Sequence, residues 1–422
     1  MKKLLFVFLA IVFSMSLFAA TINILAWDDA YTRSLKELLP EFEKATGHKV
    51  NLELIPSGSM LEKTALGVQA RSTNYDLVTI DEGNVARFGS LLLPYADWPN
   101  GKTYQKITPE EISAALFDAA TWGGVIKGMP INANAYVWMT REDIVNNPEY
   151  QAEFKAMFGY DFQVPQTLDQ LMNMAIFLQG KGIFGWAPFT KSTEGSTCEA
   201  ILFFEAFGTS FMEMVDGKYQ VVLDREKAIQ AILFYKELLQ YAPPGALDYG
   251  HSERIAAYNQ GRVFSMFQWP GIVPSHENPE ESLVAGKSIY SAPPAGPQKR
   301  AAVRGVWIIG IPSASKQAQA AAEFVYWWGS KATGEQLVEA GQIPFRKDLL
   351  GDPALIASKP WFKGIGESSE FAVSRPNKIE YYPEVSDMIK LSWLAGVSGQ
   401  LSAEQAVDKM IADVQAVIAK HE

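Results

Sequence analysis

The chain has 422 residues, of which 37 are basic and 47 acidic, so its formal net charge is −10. This length is enough for two or three domains of roughly 100–200 residues each, and 48% hydrophobic residues suffice for an ordinary globular core. The single cysteine excludes an intrachain disulfide and a paired-cysteine zinc or redox motif. The acidic balance disfavours a nucleic-acid-binding surface, which needs clustered lysine and arginine to meet phosphates.

Residues 1–20 have the layout of a secretory signal peptide. Two lysines precede an apolar run that ends near Leu17, and Ala19 and Ala20 supply the small residues of a cleavage site. An uncleaved membrane anchor is the alternative, because the apolar run is near the shortest length that spans a bilayer. Since the cleavage region has no cysteine, we expect a periplasmic protein that is not a lipoprotein and whose mature chain starts near Thr21.

The region that follows alternates predicted strands and helices. Apolar or alternating runs predict three strands, at 21–27, 49–55 and 75–81. Apolar residues spaced three and four apart predict one helix from Ser34 that ends before Gly47 and a second over 61–70, with Asp28 or Asp29 as a helix cap. This β-α-β-α-β order predicts a parallel sheet, in which ligands meet the loops beyond the carboxyl ends of the strands.

The rest of the chain is richer in predicted helix. A helix is expected over 225–241, and a terminal helix begins after Ser402, with Gln405 completing a capping box. Strand-like runs occupy 263–271 and 306–312. The proline- and glycine-rich segment 291–302 is expected to connect two lobes. Three residues are expected in the core rather than at a site: Cys198, Trp327 and Trp328.

Several short motifs follow one another in a set order along the chain. They are WDD after the first strand, FEKATGHKV, YDLVTIDEGNVARFGSLLLPYADW, GVIKGMPINANAYVWMTRED, VPQTLDQLMNMA, NQGRVFSMFQWPG, IIGIPSASKQAQAAAEFVYWWGSK, GQIPFRKD and SRPNKIEYYPEV. Together with the signal peptide, this ordered set resembles the extracellular solute-binding proteins of bacterial ABC sugar importers, the family that includes maltose-binding protein. The resemblance covers about residues 22–420.

The resemblance implies an α/β fold, the type II periplasmic binding protein, in which two lobes each hold a central, mainly parallel β-sheet flanked by helices. Lobe 1 would comprise 21–131 and 302–349, and lobe 2 would comprise 132–301 and 350–422, with a ligand cleft and a hinge between them. The implied function is the carbohydrate-binding component of an ABC importer, which closes on a sugar or sugar alcohol and delivers it to the membrane permease. We therefore expect a monomer that is not an enzyme and uses no cofactor or metal.

A carbohydrate site needs aromatic rings that stack on the apolar face of a sugar and polar groups that bind its hydroxyls. The loops after the first three predicted strands supply Trp27, Asp28, Ser59, Asp81 and Glu82. The resemblance implies Trp269 as the stacking tryptophan. It adds contacts from Asn132, Asn134, Trp186, Thr193, Ser196, Gly305, Trp307, Arg346 and Tyr382, with Tyr381 as the alternative to Tyr382.

Structural roles are the alternatives for many of these residues. Asp28, Ser59 and the acidic pair would then cap helices, the two asparagines would bind hinge backbone, and Arg346 and Arg375 would form salt bridges. Arg304 stands where many members of the family have glycine. Either its side chain reaches the ligand or a backbone contact is lost.

Two other functions stay open. The same fold would also suit a non-sugar solute, such as a polyamine or an amino acid. A secreted carbohydrate-active enzyme would need two carboxylates about 5–10 Å apart, and Asp81 or Glu82 with Glu194 would be the pair. No spacing in the sequence supports such a pair, and it has no nucleophile elbow or phosphate-binding loop.

Overall fold

A computed structural model describes residues 19–69, 74–112, 114–216, 218–359 and 361–422, so residues 1–18 of the predicted signal peptide lie outside the described residues. The described chain divides into two units. Unit 1 contains the described residues up to Ile80 together with Phe88–Asn132 and Trp307–Leu349, and unit 2 contains Asp81–Arg87, Ala133–Val306 and Leu350–Glu422. No helix in the described ranges is long and apolar enough to cross a membrane.

This division differs from the predicted lobes at three places, one of which is Asn132, a residue of unit 1 rather than of the second lobe. Asp81–Arg87 and residues 302–306 belong to unit 2 rather than to the first lobe. The proline- and glycine-rich segment 291–302 also lies wholly within unit 2, where Ala295 pairs with Thr167. The segment is therefore a loop anchored inside unit 2, and the prediction that it connects two lobes is wrong.

The strands of the described chain are short, and half of them are mainly buried. They are β1 (Thr21–Trp27), β2 (Lys49–Ile55), β3 (Leu77–Asp81), β4 (Thr121–Trp122), β5 (Val125–Ile126), β6 (Met129–Pro130), β7 (Val137–Arg141), β8 (Met212–Val215), β9 (Lys218–Val221), β10 (Ser265–Gln268), β11 (Ser288–Ser291), β12 (Ala302–Val303), β13 (Trp307–Gly310) and β14 (Ala372–Val373).

The α-helices account for much of both units. They are α1 (Ala30–Thr46), α2 (Ser57–Gln69), α3 (Val85–Phe88), α4 (Ala114–Ala119), α5 (Glu142–Val145), α6 (Pro148–Phe158), α7 (Leu168–Gln179), α8 (Glu194–Ala206), α9 (Arg225–Leu238), α10 (His251–Asn259), α11 (Val273–Glu277), α12 (Ala318–Trp328), α13 (Lys331–Glu339), α14 (Lys347–Leu350), α15 (Pro353–Ser358), α16 (Trp361–Ser369), α17 (Tyr382–Ser398) and α18 (Ala403–His421).

Unit 1 is built on a sheet with the strand order β2-β1-β3-β13-β6. β1 is parallel to β2 and to β3, which confirms the predicted β-α-β-α-β arrangement, whereas β13 and β6 are antiparallel. α1 begins where the Asp29 carboxylate accepts the backbone N–H of Thr32. It ends at Gly47, whose φ of 77° lies in the left-handed region that glycine adopts without strain.

Unit 2 contains a sheet with the order β10-β7-β11, in which both outer strands are antiparallel to β7. The resemblance implied a mainly parallel sheet in this lobe as well, and the antiparallel pairing on both sides of β7 differs from that expectation. α17 packs against α8 and α18. α18 begins with the predicted capping box of Ser402 and Gln405. The predicted burial of Cys198 in unit 2 is confirmed, as is that of Trp327 and Trp328 in unit 1.

Candidate ligand-binding site

Trp307 is the most accessible member of a stack of aromatic rings in unit 1. Its ring centroid lies 4.5 Å from that of Trp27, with 13° between the planes, and Trp27 stacks in turn on Tyr31 at 6.5 Å. Trp27 and Tyr31 are buried, whereas Trp307 is half-buried. The side-chain oxygen of Asn132 accepts the backbone N–H of Trp307 at 2.8 Å. Trp307 thus offers the accessible surface of the stack, and Trp27 supports it from the interior.

The polar residues after the first two strands have local partners. Asp28 forms an ion pair with Arg33 at 2.7 Å, and the hydrogen bond from Arg33 lowers the pKa of Asp28. The helix cap is Asp29, whose pKa is raised to about 6 by burial. Ser59 is exposed and lies in the first turn of α2. Since Asp28 and Ser59 both keep accessible side chains, they stay predicted ligand contacts.

Arg346 has a structural role in unit 1. Its Nε and Nη2 donate to the carboxylate of Asp348, its Nη2 also donates to Glu111 at 3.0 Å, and its Nη1 donates to the carbonyl of Gly329 at 3.0 Å. These bonds use each guanidinium nitrogen. We therefore assign Arg346 to a salt-bridge network and leave it out of the proposed site.

Trp269 follows β10 in unit 2 and is half-buried. Its ring centroid lies 3.9 Å from that of the buried Tyr136, with 27° between the planes. A Cβ atom at Gly305 would lie 2.7 Å from Cη2 of Trp269, so only glycine permits this approach. Gly305 is itself bound to Asn134, whose side-chain amide donates to the Gly305 carbonyl at 2.8 Å. One face of the indole is thus supported, and the ring keeps accessible surface.

Arg375 joins two carboxylates of unit 2. Its Nη2 lies 2.9 Å from Oδ2 of Asp81, and its Nη1 lies 2.8 Å from Oε1 of Glu194. The side chain of Arg375 is 2% exposed, whereas those of Asp81 and Glu194 are 20% and 40% exposed. The hydroxyls of Tyr382 and Ser386 also donate to Glu194. The two carboxylates therefore have fixed orientations and retain accessible surface.

Glu82 and Arg304 form a deeper ion pair in the same unit. Nε of Arg304 donates to Oε2 of Glu82 at 2.9 Å, and the Glu82 side chain has no exposed surface. Burial raises the pKa of Glu82, although Arg304 and Arg375 oppose that rise. The Arg304 side chain therefore turns towards Glu82. Glu82 serves as an interior counter-ion, and we leave it out of the proposed site.

Trp186 and Ser196 lie in the interior of unit 2. Trp186 is fully buried, and its indole N–H donates to the carbonyl of Leu238 at 3.0 Å. Ser196 is also fully buried, with its hydroxyl bonded to the carbonyl of Lys191. Neither side chain has surface on which a sugar ring or hydroxyl would rest. We therefore correct both assignments to structural roles.

The remaining predicted contacts of unit 2 differ in accessibility. Tyr382 is 2% exposed, so it orients Glu194 rather than stacking on a ligand. The alternative, Tyr381, stacks on His421 with ring centroids 4.6 Å apart. Thr193 is exposed at the start of α8, and its side chain makes no capping hydrogen bond there. Thr193 stays a predicted contact.

Two features of this site were not predicted from the sequence. Tyr136, the ring beneath Trp269, was not among the candidates. It lies two residues after Asn134, and in an extended segment that spacing places two side chains on the same side. Arg375 was expected as a candidate ligand contact or as a salt-bridge residue, but nothing local to it identifies Asp81 or Glu194 as its partners. Among the described residues, no group of three or more histidine, cysteine or acidic side chains could hold a metal ion.

Residues 28–335 match the sequence profile of the family described as bacterial extracellular solute-binding protein, which is most of the chain. The chain belongs to this family. Among curated relatives of this solute-binding protein, a probable ABC transporter-binding protein of Deinococcus radiodurans is 27% identical over 362 residues, covering 82% of this chain and 80% of the relative.

Two further relatives have more specific names. A probable amino-acid ABC transporter periplasmic-binding protein of Sinorhizobium fredii is 26% identical over 253 residues, covering 60% of this chain and 57% of the relative. A mannitol-binding protein of Pseudomonas aeruginosa is 22% identical over 372 residues, covering 82% and 81% of the two chains.

Solved structures share the fold of this solute-binding protein. A maltose-bound protein of T. maritima has a TM-score of 0.79 and 24% identity, with 94% of this chain and 100% of that chain covered. A solute-binding protein from Agrobacterium radiobacter K84 in complex with ribitol has a TM-score of 0.79 and 22% identity, with 94% and 98% covered. The fold is thus that of the type II periplasmic binding proteins, as predicted.

Proposed function

We propose that this solute-binding protein is the periplasmic component of an ABC importer and that its ligand is a sugar or sugar alcohol. The observation that carries the proposal is the half-buried Trp269, held against the buried Tyr136 ring in unit 2. An indole fixed in this way suits the apolar C–H face of a polyhydroxylated ligand. Trp307, stacked on Trp27, supplies a second indole of the same kind in unit 1.

Polar contacts would come from side chains that keep accessible surface. Asp81 and Glu194 supply carboxylate acceptors, and hydrogen bonds to charged acceptors are about twice as strong as those between neutral groups. Because Arg375 already orients both carboxylates, binding would cost little side-chain entropy. Asp28, Ser59 and Thr193, with the backbone-bound Asn132 and Asn134 and the close-packed Gly305, complete the proposed set of contacts.

The charge of the unit 2 cluster favours a neutral ligand over a polyamine. Asp81, Glu82 and Glu194 supply three negative charges, and Arg304 and Arg375 neutralise two of them through the ion pairs described above. A polyamine site needs acidic side chains whose charge the ligand itself neutralises. In this cluster the protein's own arginines already neutralise two of the three charges, which leaves one carboxylate rather than an acidic pocket for a polycation.

An amino acid is the second candidate ligand. The name of the Sinorhizobium fredii relative favours it, since that protein is similar over 60% of this chain. The mannitol-binding relative is similar over a longer stretch, 82% of this chain. We therefore prefer a sugar or polyol and treat the amino acid as an outcome of the binding experiment.

In this proposal the protein works outside the cytoplasm as a monomer. Its signal peptide is removed, the ligand is bound in a cleft between two lobes, and hinge closure then creates the form that the membrane permease recognises. No chemical step is required of the protein. A turnover assay on the saturating sugar separates this function from that of a carbohydrate-active enzyme, which would release a new product.

A binding titration tests the proposal. The mature protein should be unfolded and refolded to remove ligand that co-purifies, then titrated by tryptophan fluorescence and calorimetry with maltose, D-mannitol, ribitol, a set of amino acids and spermidine. Saturation by a sugar or polyol supports the proposal. Saturation by an amino acid or spermidine alone contradicts the ligand class and leaves the transport role in place. Small-angle scattering with the saturating ligand should show a smaller radius of gyration.

A further inference from the structure

A buried chain of polar side chains lies directly behind Trp269 in unit 2. The backbone N–H of Trp269 donates to Oε1 of Gln268 at 2.8 Å, and Nε2 of Gln268 lies 3.2 Å from Nε2 of His276. Nδ1 of His276 is bonded to Oδ1 of Asn259. Gln268 and His276 have no exposed surface and Asn259 is 7% exposed, so solvent does not replace these bonds.

The direction of every bond in this chain follows from its two ends. Nδ2 of Asn259 donates to the carbonyl of Glu281 at 3.3 Å, which leaves Oδ1 facing His276 as an acceptor. His276 must therefore carry its proton on Nδ1, and its Nε2 must accept from the Gln268 amide. Burial lowers the pKa of His276 to about 3, with Arg254 adding to the effect, so the ring is neutral near pH 7.

The other end of the chain fixes the orientation of Gln268. Its Oε1 faces two donors, the Trp269 backbone N–H and Nη2 of Arg254, the latter at 3.5 Å. A flipped amide would point N–H groups at both donors. Arg254 is fully buried and paired with Glu199 at 3.0 Å, so its guanidinium cannot turn away. The same guanidinium carbon lies 5.7 Å from the ring centroid of Tyr136, the ring on which Trp269 stacks.

From these contacts we infer that Gln268 and His276 are positioning residues for Trp269. The inference rests on the proposed function in taking Trp269 as a ligand-stacking residue. Gln268 holds the Trp269 backbone, and His276, as the neutral Nδ1–H tautomer, holds Gln268. The polar chain thereby fixes the start of the turn that carries the indole, while Tyr136 and Gly305 fix the ring. A loop residue held in this way loses little freedom when a ligand binds.

The first test measures hydrogen exchange and needs no ligand. With ¹⁵N-tryptophan labelling, the Trp269 amide signal is assigned by its absence in Trp269→Phe. Gln268→Met keeps the side-chain length and removes the acceptor, so exchange at Trp269 should become about tenfold faster, as expected for the loss of one ordinary hydrogen bond. Gln268→Glu keeps an acceptor and should restore slow exchange. Unchanged exchange in Gln268→Met would overturn the inference.

A control separates positioning from general destabilisation. Gln342 is a buried glutamine of unit 1 that is 2% exposed and donates to the Ser34 hydroxyl at 3.1 Å. Gln342→Met should lower stability and leave exchange at Trp269 unchanged. Long-range ¹H–¹⁵N NMR of His276 should show the Nδ1–H tautomer at pH 7. An Nε2–H tautomer or a charged ring would contradict the bond directions.

The second test measures whether the buried polar side chains behind Trp269 affect ligand binding. Gln268→Met should weaken binding of whichever of maltose, D-mannitol or ribitol saturates the natural protein by about tenfold, again one hydrogen bond's effect. Gln268→Glu should recover part of the affinity, and Gln342→Met should change nothing. Equal affinity of Gln268→Met and the natural protein would contradict the binding consequence. If none of the three probes binds the natural protein, the proposed ligand class fails, while the exchange measurement still decides whether Gln268 positions Trp269.

Discussion

Arg375 lies between Asp81 and Glu194 and donates a hydrogen bond to each, at 2.9 Å and 2.8 Å. Burial by itself would lower the pKa of Arg375, but Asp81 and Glu194 outweigh it and hold that pKa well above its ordinary value. The guanidinium is thus a permanent charge that fixes two partly exposed carboxylates. Substitutions at either carboxylate should alter both stability and ligand binding.

Asp81→Asn should lower the free energy of unfolding by about 1–3 kcal/mol, because a buried guanidinium loses a charged acceptor. It should also weaken binding of the saturating sugar, since the accessible oxygen loses its charge. Urea unfolding and calorimetry measure the two effects. Asp28→Asn is the matched control for stability alone, since Asp28 is itself a proposed ligand contact. Asp28 pairs with an exposed arginine, so this variant should cost less than about 1 kcal/mol. If both variants lose the same free energy of unfolding, the ion pair of Asp81 with the buried Arg375 does not stabilise the fold more than the exposed pair does.

Trp269→Ala and Trp307→Ala should each weaken binding of the saturating sugar by about 1–3 kcal/mol, through loss of stacking and buried area. Both rings are only half-buried, so both variants should still fold. Trp122, a half-buried tryptophan of unit 1 outside the proposed contacts, provides the control. Trp122→Ala should leave the dissociation constant unchanged in calorimetry. If Trp269→Ala or Trp307→Ala binds the sugar as tightly as the natural protein does, that tryptophan is not part of the site.

Trp27→Ala should behave differently from Trp307→Ala. Trp27 is 4% exposed and lies between Tyr31 and Trp307 in the ring stack, so its removal leaves a cavity. We expect a loss of about 3–5 kcal/mol in the free energy of unfolding, as for other buried tryptophans. Thermal and urea unfolding measure it. A stable Trp27→Ala protein with weakened binding would show instead that Trp27 meets the ligand directly.

Glu323→Gln should destabilise unit 1 without changing ligand affinity. The buried Glu323 carboxylate accepts the backbone N–H groups of Lys102, Thr103 and Tyr104. An amide turns one acceptor into a donor facing these groups, which should cost about 1–3 kcal/mol. Glu41→Gln, at an exposed glutamate of the same unit, should cost far less. Similar urea midpoints for the two variants would contradict this role of Glu323.

The pH dependence of stability should carry a contribution from His276. Its pKa is about 3 in the folded protein, against about 6.5 in an unfolded chain. Between these values the unfolded state binds more protons, so the free energy of unfolding falls as the pH drops from 6.5 towards 3, by up to about 1.4 kcal/mol per pH unit.

His276→Gln should make this slope shallower in urea unfolding between pH 4 and 6.5. A slope identical to that of the natural protein in His276→Gln would show that the fold does not hold this ring neutral.

The elements and the family were predictable from the sequence because their signals are local. The alternating run 49–55, the capping box at Ser402 and the ordered motifs each depend on residues close together in the chain. The same locality explains the accurate prediction that Trp327 and Trp328 are core residues, since both lie on an apolar helix.

The site was less predictable because its contacts join distant segments. Trp186 has the same residue type as Trp269, but only the packed structure shows that Trp186 is fully buried against Tyr235 and Phe203. Arg304 likewise has no local sign that its partner is Glu82. A sequence pattern indicates which side chains could bind a sugar, and the packing decides which of them keep the surface to do so.

The missing side chain of Gly305 has a consequence for how this protein can diverge. Because even one methyl group there would lie 2.7 Å from the indole of Trp269, positions 269 and 305 cannot vary independently. A lineage that gains a side chain at 305 must move or shrink its aromatic residue at 269. A lineage that loses the indole no longer requires glycine at 305. The two positions should therefore be exchanged together when a new solute is adopted.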